Sequence, residues 1–140
     1  AAERARKGET RVLDGVALGL PALLRALKLQ KRLARVGFDW GDADPIFGKI
    51  EEEITELREA RASGDADATE DEFGDLMFAL VNLARHWGID PEAALRRTNA
   101  KVETRFAHVE DGLAETGQTP ADATLDEMEA LWQAAKGRRT

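Results

Sequence analysis

Hydrophobic residues recur every three or four positions along most of the chain, which places them on one face of a helix. Two such series are Leu20, Leu23, Leu24 and Leu27, and then Ile50, Ile54 and Leu57. The prolines stand at positions 21, 45, 91 and 120, where a helix would begin or a loop would turn, and no segment alternates like a strand. The pattern therefore predicts an all-α protein.

Five helices are expected, four of them long. The third is predicted from about Thr69 to Trp87, after a linker at 62–65, and the fourth from Pro91 to about Asp111. The order Thr124-Leu125-Asp126-Glu127 has the form of a capping box and predicts the start of a short last helix. Short connections between long amphipathic helices favour an antiparallel bundle. We expect a four-helix-bundle-like domain with an extra short C-terminal helix.

A chain of 140 residues suits one domain with one core, which we expect to span 1–140. Residues 1–10 are polar, and we expect them to be flexible or in contact with a partner chain. The chain does not begin with Met, which raises the prospect that a longer protein was cut to this domain.

Charge and composition narrow the functional classes. Lys and Arg number 20 against 27 Asp and Glu, a net charge of −7, so a nucleic-acid polymer would meet net repulsion. A small polyphosphate held through metal ions stays compatible with this charge, because a cation reverses the local electrostatics. The chain has no Cys, which excludes disulfides and thiolate zinc sites and fits a reducing cytoplasm. It also has no run of 18 apolar residues, so we expect a soluble, cytoplasmic protein without a membrane segment.

Carboxylates on the second predicted helix share one side. Glu53 lies at the edge of the apolar stripe, and at 100° per residue Glu56 lies about 60° from it. Glu51 and Glu52 point elsewhere. Taken alone, this charge run is typical of a solvated helix face.

The third predicted helix presents acids beside an apolar face. One strip consists of Glu72, Asp75, Ala79 and Asn82, next to an expected core face of Phe73, Leu76, Leu80 and Leu83. An ionised carboxylate there is costly without a cation or hydrogen bonds. These acids could cap amides or pair with Lys or Arg across the bundle. Alternatively, four acids from two helices could bind Mg²⁺ or Mn²⁺, because hard oxygen ligands suit those ions.

Basic and aromatic residues follow on the last two predicted helices. Lys101 and Arg105 lie four residues apart, so both could reach one phosphate group, although such pairs often only face solvent. Trp132 could stack on a base or pack in the core, and Lys136 lies four residues beyond it. His86 and His108 look structural or exposed, and no Ser-His-Asp set or glycine-rich phosphate loop accompanies them.

The chain resembles the MazG family of all-alpha nucleoside triphosphate pyrophosphohydrolases over about residues 11–137. The family's EExxE and ExxD motifs match Glu52-Glu53-Ile54-Thr55-Glu56 and Glu72-Phe73-Gly74-Asp75. Further matches are Val36-Gly37-Phe38-Asp39-Trp40, Asn82-Leu83-Ala84-Arg85-His86 and Asn99-Ala100-Lys101-Val102-Glu103-Thr104-Arg105-Phe106. The chain looks like a single MazG domain, most like the C-terminal catalytic copy of two-copy members.

The resemblance implies a Mg²⁺-dependent hydrolysis of NTP or dNTP between the α and β phosphates, giving NMP and pyrophosphate, with Mn²⁺ as a substitute ion. It implies Mg²⁺ ligands at Glu53, Glu56, Glu72 and Asp75. It also implies a place for Glu52 near the nucleotide or its activating water, with Glu53 counted beside it as catalytic. Phosphate contacts would come from Lys49, Lys101 and Arg105, and a contact with the nucleoside end from Trp132, with Lys136 a weaker candidate. Family members form homodimers, so the resemblance also implies a homodimer for this chain.

Two other functional classes remain open at the level of sequence. A bundle carboxylate oxidase also uses Glu pairs on facing helices, but its usual Glu-x-x-His is absent here, since Asp75 follows Glu72 and Glu56 follows Glu53. A non-catalytic bundle could use the same acids to bind a basic partner. Assaying NMP and pyrophosphate release from mixed NTPs with Mg²⁺ separates the three classes.

Overall fold

The computed structural model describes residues 11–39 and 41–137, and within them it contains five α-helices, a 3₁₀ turn and no strand. The all-helical prediction is confirmed. The helices are α1 (Ala22–Arg35), α2 (Asp44–Ser63), α3 (Ala66–His86), α4 (Pro91–Ala114) and α5 (Leu125–Gly137), with the 3₁₀ turn at Pro120–Asp122. The expectation for residues 1–10 lies outside the described residues. No helix in the described ranges is both long enough and apolar enough to cross a membrane.

The turn between α2 and α3 is tighter than the sequence indicated. Gly64 ends α2 in the left-handed region, with φ of 78°, and Asp65 caps α3 by accepting a hydrogen bond from the Ala68 amide at 3.1 Å. The predicted linker at 62–65 was therefore two residues too long, and the predicted start at Thr69 was three residues too late. Because only two residues separate the helices, α2 and α3 form a hairpin that places their carboxylates opposite one another.

Helix α1 packs on α3 and is tied to the segment before it. The Gln30 side chain is buried and donates from Nε2 to the Phe78 carbonyl oxygen at 3.0 Å. Arg32 donates from Nη1 to the carbonyl oxygens of Val12 and Asp14, at 3.1 and 2.7 Å. The Gln30 bond holds α1 against α3, and the Arg32 bonds hold the preceding segment against α1, without using any of the predicted site residues.

The core face predicted for α3 was partly wrong. Phe73 and Leu80 are 53% and 47% exposed, whereas Ala79 and Asn82, which the sequence placed on the acid strip, are 7% and 3% exposed. The end of the acid strip that carries Ala79 and Asn82 thus packs inward. Helix α3 is apolar around most of its circumference, so its sequence pattern cannot select between adjacent strips.

The chain divides between Glu92 and Ala93 into two compact units. In the second unit Val109, Leu113 and Ala135 are buried. Gly112 makes close packing possible, because a Cβ there would lie 2.7 Å from a Leu131 methyl group. The single domain over 1–140, the four-helix arrangement and the dimer remain predictions.

Local bonds at the start of α5 confirm the predicted capping box. Glu127 Oε1 accepts from the Thr124 amide at 2.9 Å, and the Glu127 amide donates to Thr124 Oγ1 at 3.1 Å. Thr119 and Asp122 form a similar box at the 3₁₀ turn, which the sequence analysis did not identify. Both boxes satisfy amides that a helix start leaves exposed.

Candidate metal centre

Glu53, Glu56 and Glu72 converge between α2 and α3. Each offers a carboxylate oxygen, and the three oxygens lie within 4.8 Å of one another. Glu53 and Glu56 are one turn apart on α2, and the hairpin brings Glu72 to them from α3. We call these three residues the acid cluster. Three of the four predicted metal ligands are therefore brought together.

The acid cluster contains polar atoms that the surrounding protein leaves unsatisfied. Oε2 of Glu53 and Oε2 of Glu72 are buried and have no hydrogen-bond partner among the described residues. An unsatisfied buried oxygen is costly, and more so when it carries charge. A set of hard oxygen donors with two such atoms fits Mg²⁺ or Mn²⁺. The residues present therefore fit the metal that the sequence motif implies.

The pKa of Glu72 also indicates that the acid cluster lacks positive charge. Burial, followed by hydrogen bonds with Glu56 and Glu53 and repulsion from their charges, raises its pKa to about 7. Without a cation, a proton on Glu72 relieves the repulsion within the cluster. A divalent cation would take over that role and favour the ionised form.

Lys49 supplies a positive charge beside the acids of its own helix α2. Its Nζ lies 3.0 Å from Glu53 Oε1 and 3.8 Å from Glu52 Oε2. The hydrogen bond with Glu53 raises the pKa of Lys49. Glu53, which is only 3% exposed, is thus partly neutralised from its own helix. No described Lys or Arg forms an ion pair with Glu56 or Glu72.

Asp75 and Glu52 lie outside the acid cluster. Asp75 is exposed, so the expectation that it is a costly buried acid was wrong, because water can solvate its charge. It still lines a cavity of about 260 Å³ together with Glu53 and Lys49. Glu52 is exposed and turned toward Lys49. The metal role of Asp75 and the catalytic role of Glu52 remain predictions.

The cavity beside Glu53 is lined by both polar and apolar side chains. Its lining residues are Ile46, Lys49, Glu53, Asp75, Phe78, Ala79 and Asn82. The charged residues are Lys49, Glu53 and Asp75, and Asn82 is the neutral polar residue. Such a mixture of apolar surface with a few placed polar groups is typical of small-molecule sites.

A polar network that the sequence analysis did not predict joins α3 to the loop before α2. The Arg85 guanidinium donates to both carboxylate oxygens of Asp39, at 2.6 and 3.2 Å, and His86 Nε2 lies 3.0 Å from Asp39. Asp39 lies in one of the segments that resemble the MazG family, and Arg85 and His86 lie in another. Their contact could not be foreseen, because it joins positions 46 and 47 residues apart.

Apart from Lys49, the predicted phosphate and nucleoside contacts lie in the second unit. The Arg105 guanidinium carbon lies 5.9 Å from the centroid of the half-buried Trp132 ring, an arrangement typical of a cation–π contact. Lys101 and Lys136 are exposed. The structure thus brings Arg105 and Trp132 together, and the roles of all four residues toward a nucleotide remain predictions.

The family model and the most similar relatives that match this chain belong to the same protein family. Residues 46–110 match the MazG nucleotide pyrophosphohydrolase domain. The chain is 48% identical over 136 residues to a nucleoside triphosphate pyrophosphohydrolase of Escherichia coli K12, covering 96% of this chain and 52% of that protein. It is 38% identical over 137 residues to the nucleoside triphosphate pyrophosphohydrolase/pyrophosphatase MazG of Thermotoga maritima, covering 98% and 52%. The chain spans about half the length of these curated relatives.

Proposed function

Because this chain belongs to the MazG family, we propose that it is a nucleoside triphosphate pyrophosphohydrolase that releases NMP and pyrophosphate. The observation that carries the proposal is the acid cluster, with two buried carboxylate oxygens that lack partners. Water attacks at the α phosphate, and the bond from that phosphorus to the α–β bridging oxygen breaks. We place the reaction in the cytoplasm.

Glu53, Glu56 and Glu72 would hold Mg²⁺, with Asp75 joining them from one turn further along α3. When bound, Mg²⁺ would neutralise triphosphate charge and lower the pKa of a coordinated water. Mn²⁺ would serve with the same oxygen ligands. Glu53 also keeps Lys49 beside the cluster through its other oxygen.

Glu52 would orient or deprotonate the attacking water. It belongs to the acid motif, yet it is exposed and outside the cluster, so its carboxylate is available as a base. Lys49 would contact a phosphate, for which it must leave or share its ion pair with Glu53. Lys101 and Arg105 would stabilise charge on the departing pyrophosphate, and Trp132 would contact the nucleoside end.

The proposed assembly is a homodimer. Phe73, Met77 and Leu80 form an exposed apolar stripe on α3, at i, i+4 and i+7. A contiguous exposed apolar surface of this kind is typical of a protein interface. A second copy of the chain would cover it with the same stripe, as a two-fold interface requires. Light scattering should give twice the chain mass, and Leu80→Lys should shift the protein toward monomer.

The activity is tested by incubating the protein with each NTP and dNTP in Mg²⁺ and separating the products chromatographically. The proposal expects equal amounts of NMP and pyrophosphate, and no release in excess chelator. NDP and phosphate would instead indicate cleavage at the γ phosphate. Metal-dependent oxygen consumption without nucleotide turnover would favour the oxidase alternative, and neither activity would favour the interaction bundle.

Two variants test the finer assignments. Asp75→Ala should greatly reduce Mg²⁺-dependent pyrophosphate release, and unchanged release would remove Asp75 from the site. Glu52→Gln should retain metal affinity but lose turnover, and full turnover would exclude its role toward water. Glu59→Gln is the matched control, since Glu59 is an exposed acid on the same helix.

A further inference from the structure

Asn82 is a buried amide in the cavity wall, and the function proposed above gives it no role. It is 3% exposed and lines the cavity together with Ile46, Phe78 and Ala79. Its Oδ1 accepts two hydrogen bonds from Arg85, from Nε at 3.3 Å and from Nη2 at 2.8 Å. A buried amide with such a partner has a defined orientation.

The chemistry of Arg85 decides which way the amide faces. The oxygen and nitrogen of an amide are hard to distinguish by shape, but a guanidinium only donates hydrogen bonds. The atom of Asn82 that meets Arg85 must therefore be the oxygen. Its NH₂ group is left on the other side of the amide, and the hydrogen bonds of the described residues give that nitrogen no acceptor.

Asp39 holds Arg85 in this position. It accepts from both terminal nitrogens of the guanidinium, and His86 contacts the same carboxylate. A two-point Arg–carboxylate pair fixes the plane of the guanidinium as well as its place. The chain of contacts from Asp39 through Arg85 to Asn82 thus connects the loop before α2 to the cavity wall.

The cavity suits a nucleoside better than a phosphate chain. Its volume of about 260 Å³ is below the range of about 300–1,000 Å³ for sites that enclose a whole drug-sized ligand. Its wall near Asn82 is apolar, and its one lysine, Lys49, is paired with Glu53. Asn82 follows Glu72 by ten residues, about 15 Å along the helix axis, so it lies well beyond the acids that would gather the phosphates.

We propose that Asn82 donates a hydrogen bond from its amide nitrogen to an acceptor on the base or sugar of the nucleotide, and that Arg85 is the positioning residue that presents this donor. The inference rests on the proposed function and deepens it, because it assigns the cavity to the nucleoside end. Asn82 would then contribute to the choice among nucleotides, since a donor that becomes buried on binding penalises a substrate without a matching acceptor.

The first test replaces the donor without changing the shape. Asn82→Asp keeps the bond to Arg85 and puts an oxygen where the NH₂ group was. We expect KM to rise about tenfold or more for the preferred nucleotides, since a buried hydrogen bond is replaced by opposed acceptors. The value of kcat should change less than KM, and Mg²⁺ binding measured by calorimetry should be retained. Gln133→Glu adds the same charge at an exposed amide on α5 and should change neither parameter.

The second test separates positioning from general support of the fold. Arg85→Met frees the amide to turn over, so KM should rise a few-fold and the ranking of nucleotides by kcat/KM should flatten. Arg85→Lys still offers only donors and should recover part of the ranking. Loss of thermal stability in both variants with an unchanged ranking would show a merely structural role for Arg85 and overturn its assignment.

A binding experiment keeps this inference separate from the proposed function. AMP, GMP, CMP and UMP are titrated into the wild-type protein and Asn82→Asp in the presence of Mg²⁺. Weaker binding of the preferred monophosphate to the variant supports the inference even if no triphosphate is hydrolysed, a result that would overturn only the proposed reaction. Equal monophosphate binding and equal KM in the two proteins would overturn the inference.

Discussion

Two carboxylates on different units, Glu72 and Glu127, have the same chemistry and opposite surroundings. Glu127 accepts hydrogen bonds from the Thr124 amide and hydroxyl at 2.9 and 3.0 Å, and these bonds lower its pKa. Glu72 faces Glu53 and Glu56, has one buried oxygen without a partner, and has its pKa raised to about 7. The chain satisfies the first carboxylate itself and leaves the second dependent on a cation or a proton.

This contrast separates a structural acid from a binding acid. Donors close in sequence stabilise the charge of Glu127, so nothing outside the chain is needed. Repulsion and desolvation oppose the charge of Glu72, and only an added positive charge removes both penalties. Exposure alone would not have made the distinction, since the exposed fraction says nothing about which neighbours are donors.

The largest expected effect is the difference in activity between neutralising Glu72 and neutralising Glu127. Glu72→Gln should reduce Mg²⁺-dependent pyrophosphate release by about 100-fold or more, because loss of a residue that merely supports a metal ligand already costs about 10–100-fold. Glu127→Gln should stay within about twofold of the wild-type rate. Both are measured as initial rates at saturating Mg²⁺.

Glu59→Gln controls for the loss of one negative charge near the cluster. Comparable rates for Glu72→Gln and wild type would remove the acid cluster from the reaction. A large loss of pyrophosphate release in Glu127→Gln would also contradict the comparison, since it would show that the capping acid Glu127 contributes to activity.

A second, smaller effect should appear in the pH dependence of the metal-free protein. The folded pKa of Glu72, about 7, lies above the ordinary carboxyl value, so its contribution to folding is fully present below about pH 4.5 and is lost as pH rises through 7. Stability without metal should therefore fall between pH 5 and 8, and Glu72→Gln should flatten the fall. Thermal unfolding in chelator measures both curves.

The same titration predicts proton release on metal binding. At about pH 6 most Glu72 is protonated, so Mg²⁺ must displace its proton, whereas at about pH 8 little remains to displace. Calorimetry in buffers of different ionisation enthalpy should give a release that decreases over this interval. A release that is the same at both values, or none at either, would contradict the assignment of the raised pKa to Glu72.

Features set by neighbours in sequence were predictable. The capping box at Thr124 and Glu127 needs only residues three apart, and the glycine and proline positions placed the ends of most helices to within a few residues. The pairing of Glu53 with Glu56 on one side of α2 also follows from helical geometry alone. These predictions succeeded because the deciding interactions are local.

Features set by packing were not predictable. The buried strip of α3 contains Ala79 and Asn82 while Phe73 stays exposed, and several strips of that helix offer enough apolar surface to face inward. The contact of Arg85 with Asp39 depends on a loop whose position is fixed only in three dimensions. The acid motif was recognisable from sequence, but the exposure of Asp75 was not, because it depends on how far the α2–α3 interface extends.

The smallest expected effect concerns the stability that the Thr124–Glu127 cap gives to α5. Thr124→Ala should lower the free energy of unfolding by about 1 kcal/mol at pH 7, because it removes the side-chain cap of α5. The folded pKa of Glu127 is lowered, so the stabilisation that it receives from Thr124 is present above the ordinary carboxyl pKa and is lost as pH falls through the folded value. Urea denaturation should therefore show a smaller difference between Thr124→Ala and wild type at about pH 3 than at pH 7, with pyrophosphate release unchanged. A difference that stays the same across this range would mean that Thr124 stabilises α5 without Glu127, and the two carboxylates would no longer differ in the way proposed.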